Sequence, residues 1–208
     1  PGDPERPGAI RNSNGYSMRA AVRGLGIEPT YLGVAPDSEE KVREKFEQGC
    51  RSDVLITVGG VSAGDFDVVR DLLAGDRLGF EEFFYKVRIR PGKPVRCGRI
   101  GRTLIFALPG NPVSCLVGFH LFASPALRKL SGLSTWENPV WRVILGGDIH
   151  SPGPILNFWR ARLLVDSKQG LATAIPFEQS GSGMLTTMLG ADGLVPVPIE
   201  ADGLRKGE

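Results

Sequence analysis

The chain lacks a long apolar run: no stretch of its 208 residues approaches the roughly 20 consecutive apolar positions that span a bilayer, which excludes a transmembrane helix. The segment Pro1-Gly2-Asp3-Pro4-Glu5-Arg6-Pro7 has no signal-peptide character and reads as a loop. Cysteine is scarce and odd in number. Cys50, Cys97 and Cys115 show no CxxC spacing, so neither a disulfide framework nor a zinc site is indicated, and a reducing cytoplasm is the expected setting. An excess of charge is lacking too. A net charge of +2, with lysines and arginines dispersed, argues against nucleic-acid binding by electrostatics alone, so no nucleic-acid or membrane partner is expected. Histidine is nearly absent. His120 falls in an apolar helical stretch and reads as a packing residue, while His150 lies beside a Ser-Pro-Gly turn. Neither has an acid at catalytic spacing, and Ser114 stands outside a GxSxG elbow, so nothing supports a hydrolase triad.

What is present is enough apolar content to bury a sizeable core and an alternation of helical and strand periods, which predicts an α/β protein. Asn12-Ser13-Asn14 can cap a helix over residues 15–25, with Met18, Ala21, Val22 and Leu25 on one stripe and Gly26 ending it. Residues 29–34 read as a short strand. Asp37-Ser38-Glu39-Glu40 is a capping-box pattern before a helix to Gln48, and the apolar, β-branched run 53–58 reads as a buried parallel strand. Helix, strand, helix, strand with right-handed crossovers predicts a doubly wound, mostly parallel sheet. Residues 83–89, 95–100 and 103–108 are strand-like, the last two joined at Gly101-Arg102 as a hairpin. Pro112 suits the first turn of a helix reaching Leu130, with a kink or break at Pro125. Residues 131–139 read as a linker. Beyond it, short apolar runs at 140–145, 158–165, 171–176 and 193–198 predict a small all-β unit.

Two glycine-rich strings carry the chemistry. VGGVSAGDFD (58–67) follows a strand, at the end of an open α/β sheet where ligands bind. Gly59, Gly60, Val61 and Gly64 let backbone approach an anion, Ser62 adds a hydroxyl, and Asp65 and Asp67 offer carboxylates of the kind magnesium takes. The same loop can also be a tight turn in which one aspartate caps the next helix. Arg88, Arg90, Lys93, Arg96 and Arg99 surround Pro91-Gly92-Lys93-Pro94, an extended segment whose cations can receive an oxyanion or serve only as a solvated hairpin face. Leu108-Pro109-Gly110-Asn111-Pro112-Val113-Ser114 leads from a strand into a helix, either as an anion-binding N-terminus or as a plain turn. Arg160 and Arg162 alternate on a strand, and solvent is the simplest destination of that face.

Taken in order, GAIRNSNGYSM (8–18), VGGVSAGDFD, RPGKP, LPGNPVS and QSGSGML (179–185) resemble the MoeA/gephyrin E-domain family of molybdopterin molybdenumtransferases over nearly the whole chain. The resemblance implies a three-layer, MogA-like molybdopterin-binding α/β domain over residues 1–134 and a C-terminal β-barrel-like domain over 135–208. It implies an enzyme that binds adenylylated molybdopterin, inserts molybdate and releases AMP with the help of Mg2+. By motif, Asp67, Lys93 and Arg90 look catalytic. Gly59, Gly60, Val61, Ser62, Gly64, Pro91, Gly92, Pro109, Gly110, Asn111, Pro112 and Ser114 look like ligand-loop residues. Arg160 and Ser182 resemble residues that hold molybdate, and Asp67 and Asp65 resemble magnesium ligands. A homodimer of the full-length protein and a MogA-like adenylyltransferase are the implied partners.

Three departures accompany the resemblance. Arg90 stands where the family usually has lysine, and Asn12 where it often has an acid. The family's α/β domain also ordinarily opens with a further strand, preceded by two more domains, that this sequence does not show. The expectation is a fragment in which the sheet either has an unpaired edge or has another strand standing in for the missing one. The alternatives are an adenylyltransferase-like or nucleotide-amidase-like relative sharing the α/β domain, and a non-catalytic gephyrin-like scaffold.

Overall fold

The computed structural model describes residues 10–61, 68–151, 153–166, 170–178, 181 and 183–208, apart from the side chain of Asp76. Two helices, α1 (Ser13–Arg23) and α2 (Glu39–Gly49), precede β1 (Val54–Val58). Next come α3 (Val68–Ala74), β2 (Phe80–Tyr85), the short β3 (Ile89–Arg90) and the hairpin of β4 (Arg96–Ile100) and β5 (Thr103–Leu108). The long helical stretch comprises α4 (Pro112–Gly118), a π-helical turn (Phe119–Ala123) and α5 (Ser124–Leu130). The remainder holds β6 (Ile144–Leu145), β7 (Ile149–His150), β8 (Leu156–Asp166), β9 (Leu171–Pro176), α6 (Leu185–Leu189), β10 (Gly193–Val197) and β11 (Gly203–Leu204).

Local chemistry sets several of these boundaries. Asn12 caps α1, its side-chain oxygen accepting from the Gly15 N–H at 2.9 Å. In α2 the N-cap is Ser38, one residue beyond the expected Asp37, and Glu39 and Glu40 occupy the positive first turn. Pro125 does not break its helix. Its ring cannot accept the ordinary α-turn, and the π turn just before it widens the backbone so that the Ser124 N–H donates to Phe119 O, five residues back.

The first sheet has the order β1-β5-β4-β2. Only β1 and β5 are parallel. The pairs β4–β5 and β2–β4 are antiparallel, so the sheet is mixed rather than mostly parallel: the predicted hairpin and the strand before it supply two of its three pairings. Period-2 alternation divides its side chains between two cores. Phe106 and Leu108 of β5 join Met18, Val22, Cys115 and Phe119 in one, while Ile105 and Ala107 face Val42, Phe46, Leu72 and Leu73 in the other. Helices α1, α4 and α5 therefore cover one face and α2 and α3 the opposite face, giving three layers.

Residues 29–34, expected as a strand, belong to no ladder. Gly33 turns the backbone at φ +83°, and among the described residues no strand lies on the outer edge of β1 for the segment to join. A cavity of about 900 Å³, lined by Met18, Val22, Tyr31, Leu32, Ile56 and Thr57 among others, separates residues 27–35 from β1. Among the described residues the outer edge of β1 is thus unpaired, the first of the two expected outcomes.

The second sheet has the order β10-β8-β9-β6, with β3 pairing in parallel to β8, and β7 pairs with β11 separately. Leu145, Ile149 and Val197 are its buried centre. Among the described residues these strands do not close into a barrel, and α6 interrupts the all-β pattern. His120, expected in packing, is exposed on the π turn. The short pairs β6, β7 and β11 leave weaker periodicity than β8 does, which is why only part of 140–145 forms a strand.

Two outcomes test this packing. A Cβ on Gly98 would stand 2.3 Å from Glu81 O and 2.4 Å from the Phe80 ring, whereas one on Gly193 would meet nothing within 4 Å. Urea unfolding of Gly98→Ala should show a loss of about 1–3 kcal/mol, and Gly193→Ala a change within about 0.5 kcal/mol. Burial pushes the Cys97 thiol up to about 11 and the Cys115 thiol up to about 12, while Cys50 is half-buried and raised less. Titration with an aromatic disulfide at pH 8 should label Cys50 first, and Cys97 and Cys115 only on unfolding.

Candidate functional site

The parallel pair β1–β5 ends in register at Val58 and Leu108; β1 then runs into Gly59-Gly60 and β5 into Pro109-Gly110. Gly59 and Gly60 take φ of +86° and +71°, a left-handed path that a side chain would strain. Gly59 N–H still donates to Leu108 O at 2.9 Å, and a Cβ on Gly110 would lie 3.6 Å from the Gly59 Cα, so the two loops run in contact. The Asn14 amide donates to Gly110 O at 2.7 Å and ties the start of α1 to the second loop. From sequence Asn14 is only part of a capping segment. Its reach across 96 positions had no sequence signal.

Pro112 stands in the first turn of α4, with Asn111 as N-cap and Pro109 and Gly110 leading in; Cys115 N–H donates to Asn111 O at 2.8 Å. Val61 and Ser114 are buried, so Val61 offers the site backbone only and packs its side chain in the core. Ser62, Gly64, Asp65, Asp67 and Ser182 lie outside the described residues. Among the described residues no group of three or more His, Cys, Asp or Glu side chains converges to hold a metal.

The basic string divides. Arg96 pairs with Glu82 and lies over the Tyr85 ring, Arg99 pairs with Glu81 across the hairpin, and Arg88 donates to Pro154 O at 2.9 Å. Arg90 and Lys93 are exposed and form no ion pair with the described residues. Pro91 and Gly92 between them are buried, and a Cβ on Gly92 would stand 3.6 Å from Ser114 O, so this turn sits on the first turns of α4. Three of the five cations therefore do structural work, and among the described residues Arg90 and Lys93 have no ion-pair partner.

On the other side, β3 runs in parallel register with β8, Arg90 opposite Asn157, which brings the RPGKP turn to the strand that carries Arg160. Arg162 is exposed. Arg160 is not: only 1% of it remains accessible, because α6 lies over this end of β8. This overturns the solvent-facing expectation for the residue. Its Nε donates to Thr187 Oγ1 at 2.7 Å and its terminal nitrogen to Gly181 O at 3.4 Å. No carboxylate among the described residues pairs with it, and burial pulls its pKa below the ordinary value while leaving it a cation at neutral pH. Thr187, a residue that gave no signal in the sequence, is itself buried on α6, and α6 packs against α4. The LPGNP helix, the RPGKP turn and Arg160 thus occupy adjoining elements.

Comparison with known proteins agrees with this architecture. Residues 2–129 match the probable molybdopterin binding domain family, and residues 142–208 match the MoeA C-terminal region, domain IV. The chain is 34% identical over 206 residues to the molybdopterin molybdenumtransferase of Bacillus subtilis (strain 168), covering 99% of this chain and 47% of that protein. It is 36% identical over 204 residues to molybdopterin molybdenumtransferase 2 of Mycobacterium tuberculosis (strain H37Rv), covering 95% and 49%. The chain therefore spans about half the length of the curated relatives it matches. The crystal structure of the molybdopterin biosynthesis MoeA protein from Pyrococcus horikoshii superposes with a TM-score of 0.80 at 30% identity, over 100% of this chain and 49% of that one. With a molybdopterin-binding α/β region followed by domain IV in one chain, the protein belongs to the MoeA family.

Proposed function

We propose that the chain carries the ligand-binding loops of a molybdopterin molybdenumtransferase, which inserts molybdate into adenylylated molybdopterin with release of AMP. The observation that carries this reading is Arg160, a buried guanidinium whose partners among the described residues are neutral oxygens, on the strand next to the RPGKP turn. A buried cation without a carboxylate partner is costly unless an anion completes it, and a tetrahedral oxyanion supplies that charge. The match of residues 142–208 to domain IV favours this reading over an adenylyltransferase-like or nucleotide-amidase-like relative.

In this reading Gly59, Gly60 and Val61 present backbone to the pterin substrate's phosphate, with Ser62 and Gly64 continuing the loop, and Pro109, Gly110, Asn111 and Pro112 form the opposing wall. Pro91 and Gly92 set the path that leaves Arg90 and Lys93 exposed, and these two cations stabilise charge as the phosphoanhydride is cleaved. Ser114 supports that turn from α4. Arg160 and Ser182 hold molybdate. Asp67 and Asp65 offer the hard oxygen donors that suit Mg2+, which would neutralise phosphate charge during cleavage. Replacement of the protons or copper on the substrate's dithiolene sulfurs by molybdenum needs no protein nucleophile. Residues 1–134 and 135–208 act as the two units, the whole protein works as a homodimer, and a MogA-like adenylyltransferase delivers the substrate. Among the described residues no helix is long and apolar enough to cross a membrane.

Calorimetric titration with molybdate should show saturable binding by the chain that Arg160→Met weakens about 10- to 100-fold, the range of a lost charged hydrogen bond. The Arg160→Met variant should stay folded, its unfolding free energy equal to the parent's or up to about 4 kcal/mol higher, because an apolar side chain of similar volume replaces a buried charge. Undiminished molybdate binding by this variant would overturn the site. In the intact protein, Asp67→Ala and Lys93→Ala should abolish insertion and AMP release without unfolding; normal turnover by either would remove that residue from the machinery.

A further inference from the structure

We infer that Thr187 is a positioning residue that orients the Arg160 guanidinium toward its oxyanion, an inference that rests on the oxyanion reading of Arg160. The hydrogen-bond inventory carries it. A threonine hydroxyl has one proton and two acceptor lone pairs, and the Thr187 hydroxyl donates its proton to Met184 O at 2.7 Å. Its orientation is thereby fixed, and a lone pair is left to accept from Arg160 Nε at 2.7 Å. The order Arg160 N–H to Thr187 O–H to Met184 carbonyl is the only one these groups allow, since the guanidinium has no acceptor and the carbonyl no proton.

The planar fork of arginine has five N–H groups. With Nε held by Thr187 and one terminal nitrogen directed at Gly181 O, the fork's rotation about its last bonds is set by two neutral oxygens, and both are contributed by the segment that closes over β8. Neither acceptor neutralises the charge. A carboxylate in place of Thr187 would hold the fork as firmly but would compete with an anionic ligand for it; the hydroxyl orients the cation and leaves its charge for the ligand. Thr187 is 6% accessible and lies on α6, which packs against α4, so the Nε end of the fork is referred to the LPGNP helix, while the terminal nitrogen meets Gly181 O at an exposed position outside any helix. Removing the hydroxyl leaves Nε without its acceptor and frees the fork to turn away from the ligand.

The test is a double-mutant cycle read by molybdate titration, with thermal unfolding of each variant alongside. Thr187→Val, which keeps the shape and removes the hydroxyl, should weaken molybdate binding about tenfold. Thr187→Ser, which returns the hydroxyl, should bind within about twofold of the parent. Combining Thr187→Val with Arg160→Met should bind no more weakly than Arg160→Met alone, measured at high molybdate concentration, because Thr187 acts only through that guanidinium. Parental binding by Thr187→Val, failure of Thr187→Ser to restore it, or multiplicative losses in the double variant would each overturn the positioning role. Absence of saturable binding by the parent chain would instead overturn the oxyanion reading and this inference with it.

Discussion

The β5 strand is the constraint on which the rest depends. It has a neighbour on each edge, parallel β1 and antiparallel β4, and both its faces are covered, so every one of its side chains must fit a packed interior. Ile105 and Ala107 serve one core and Phe106 and Leu108 the other, and a slip of one residue would exchange them. Thr103 fixes the start of the strand, its hydroxyl bonding to the carbonyl oxygens of Ser52 and Cys50 just before β1. With register set at that end, the opposite end is determined: Val58 and Leu108 finish side by side, and the two glycine loops emerge in contact.

A second consequence concerns how two sheets meet at one site. The proposed ligand loops hang from the first sheet, while Arg160 belongs to the second. Pairing of β3 with β8 and packing of α4 on α6 join them through two separate contacts. The RPGKP turn is common to both, because β3 enters it from the second sheet and Gly92 seats it on α4.

Where periodicity and local chemistry agree, the fold was legible from residues alone. The Asn12 cap, the alternation of β5, the Gly101 hairpin and the helix opening at Pro112 all depend on neighbours within a few positions. Residues 29–34 have the propensity of a strand but no partner edge among the described residues, and Gly33 bends the segment. The basic string was ambiguous for a related reason. Whether an arginine is structural or free depends on the residue across the sheet, and Glu81 and Glu82 claim Arg99 and Arg96 by a register the sequence does not display. Arg160 was singled out by motif, but its burial comes from α6, whose Thr187 lies 27 positions away and resembles no catalytic signature.

That burial is the most informative energetic fact in the second sheet. A side chain selected for stability alone at a position with 1% accessibility would be aliphatic, since desolvating a guanidinium costs several kcal/mol that two neutral hydrogen bonds do not return. An internal carboxylate would offset that cost permanently, and would also cancel the field that attracts an anion. Holding the cation with a hydroxyl and a carbonyl does neither. Among the described residues no carboxylate compensates the charge, which is enclosed against a helix packed on α4; in the proposed site the oxyanion becomes its counter-ion, so that ligand binding and local stability are linked.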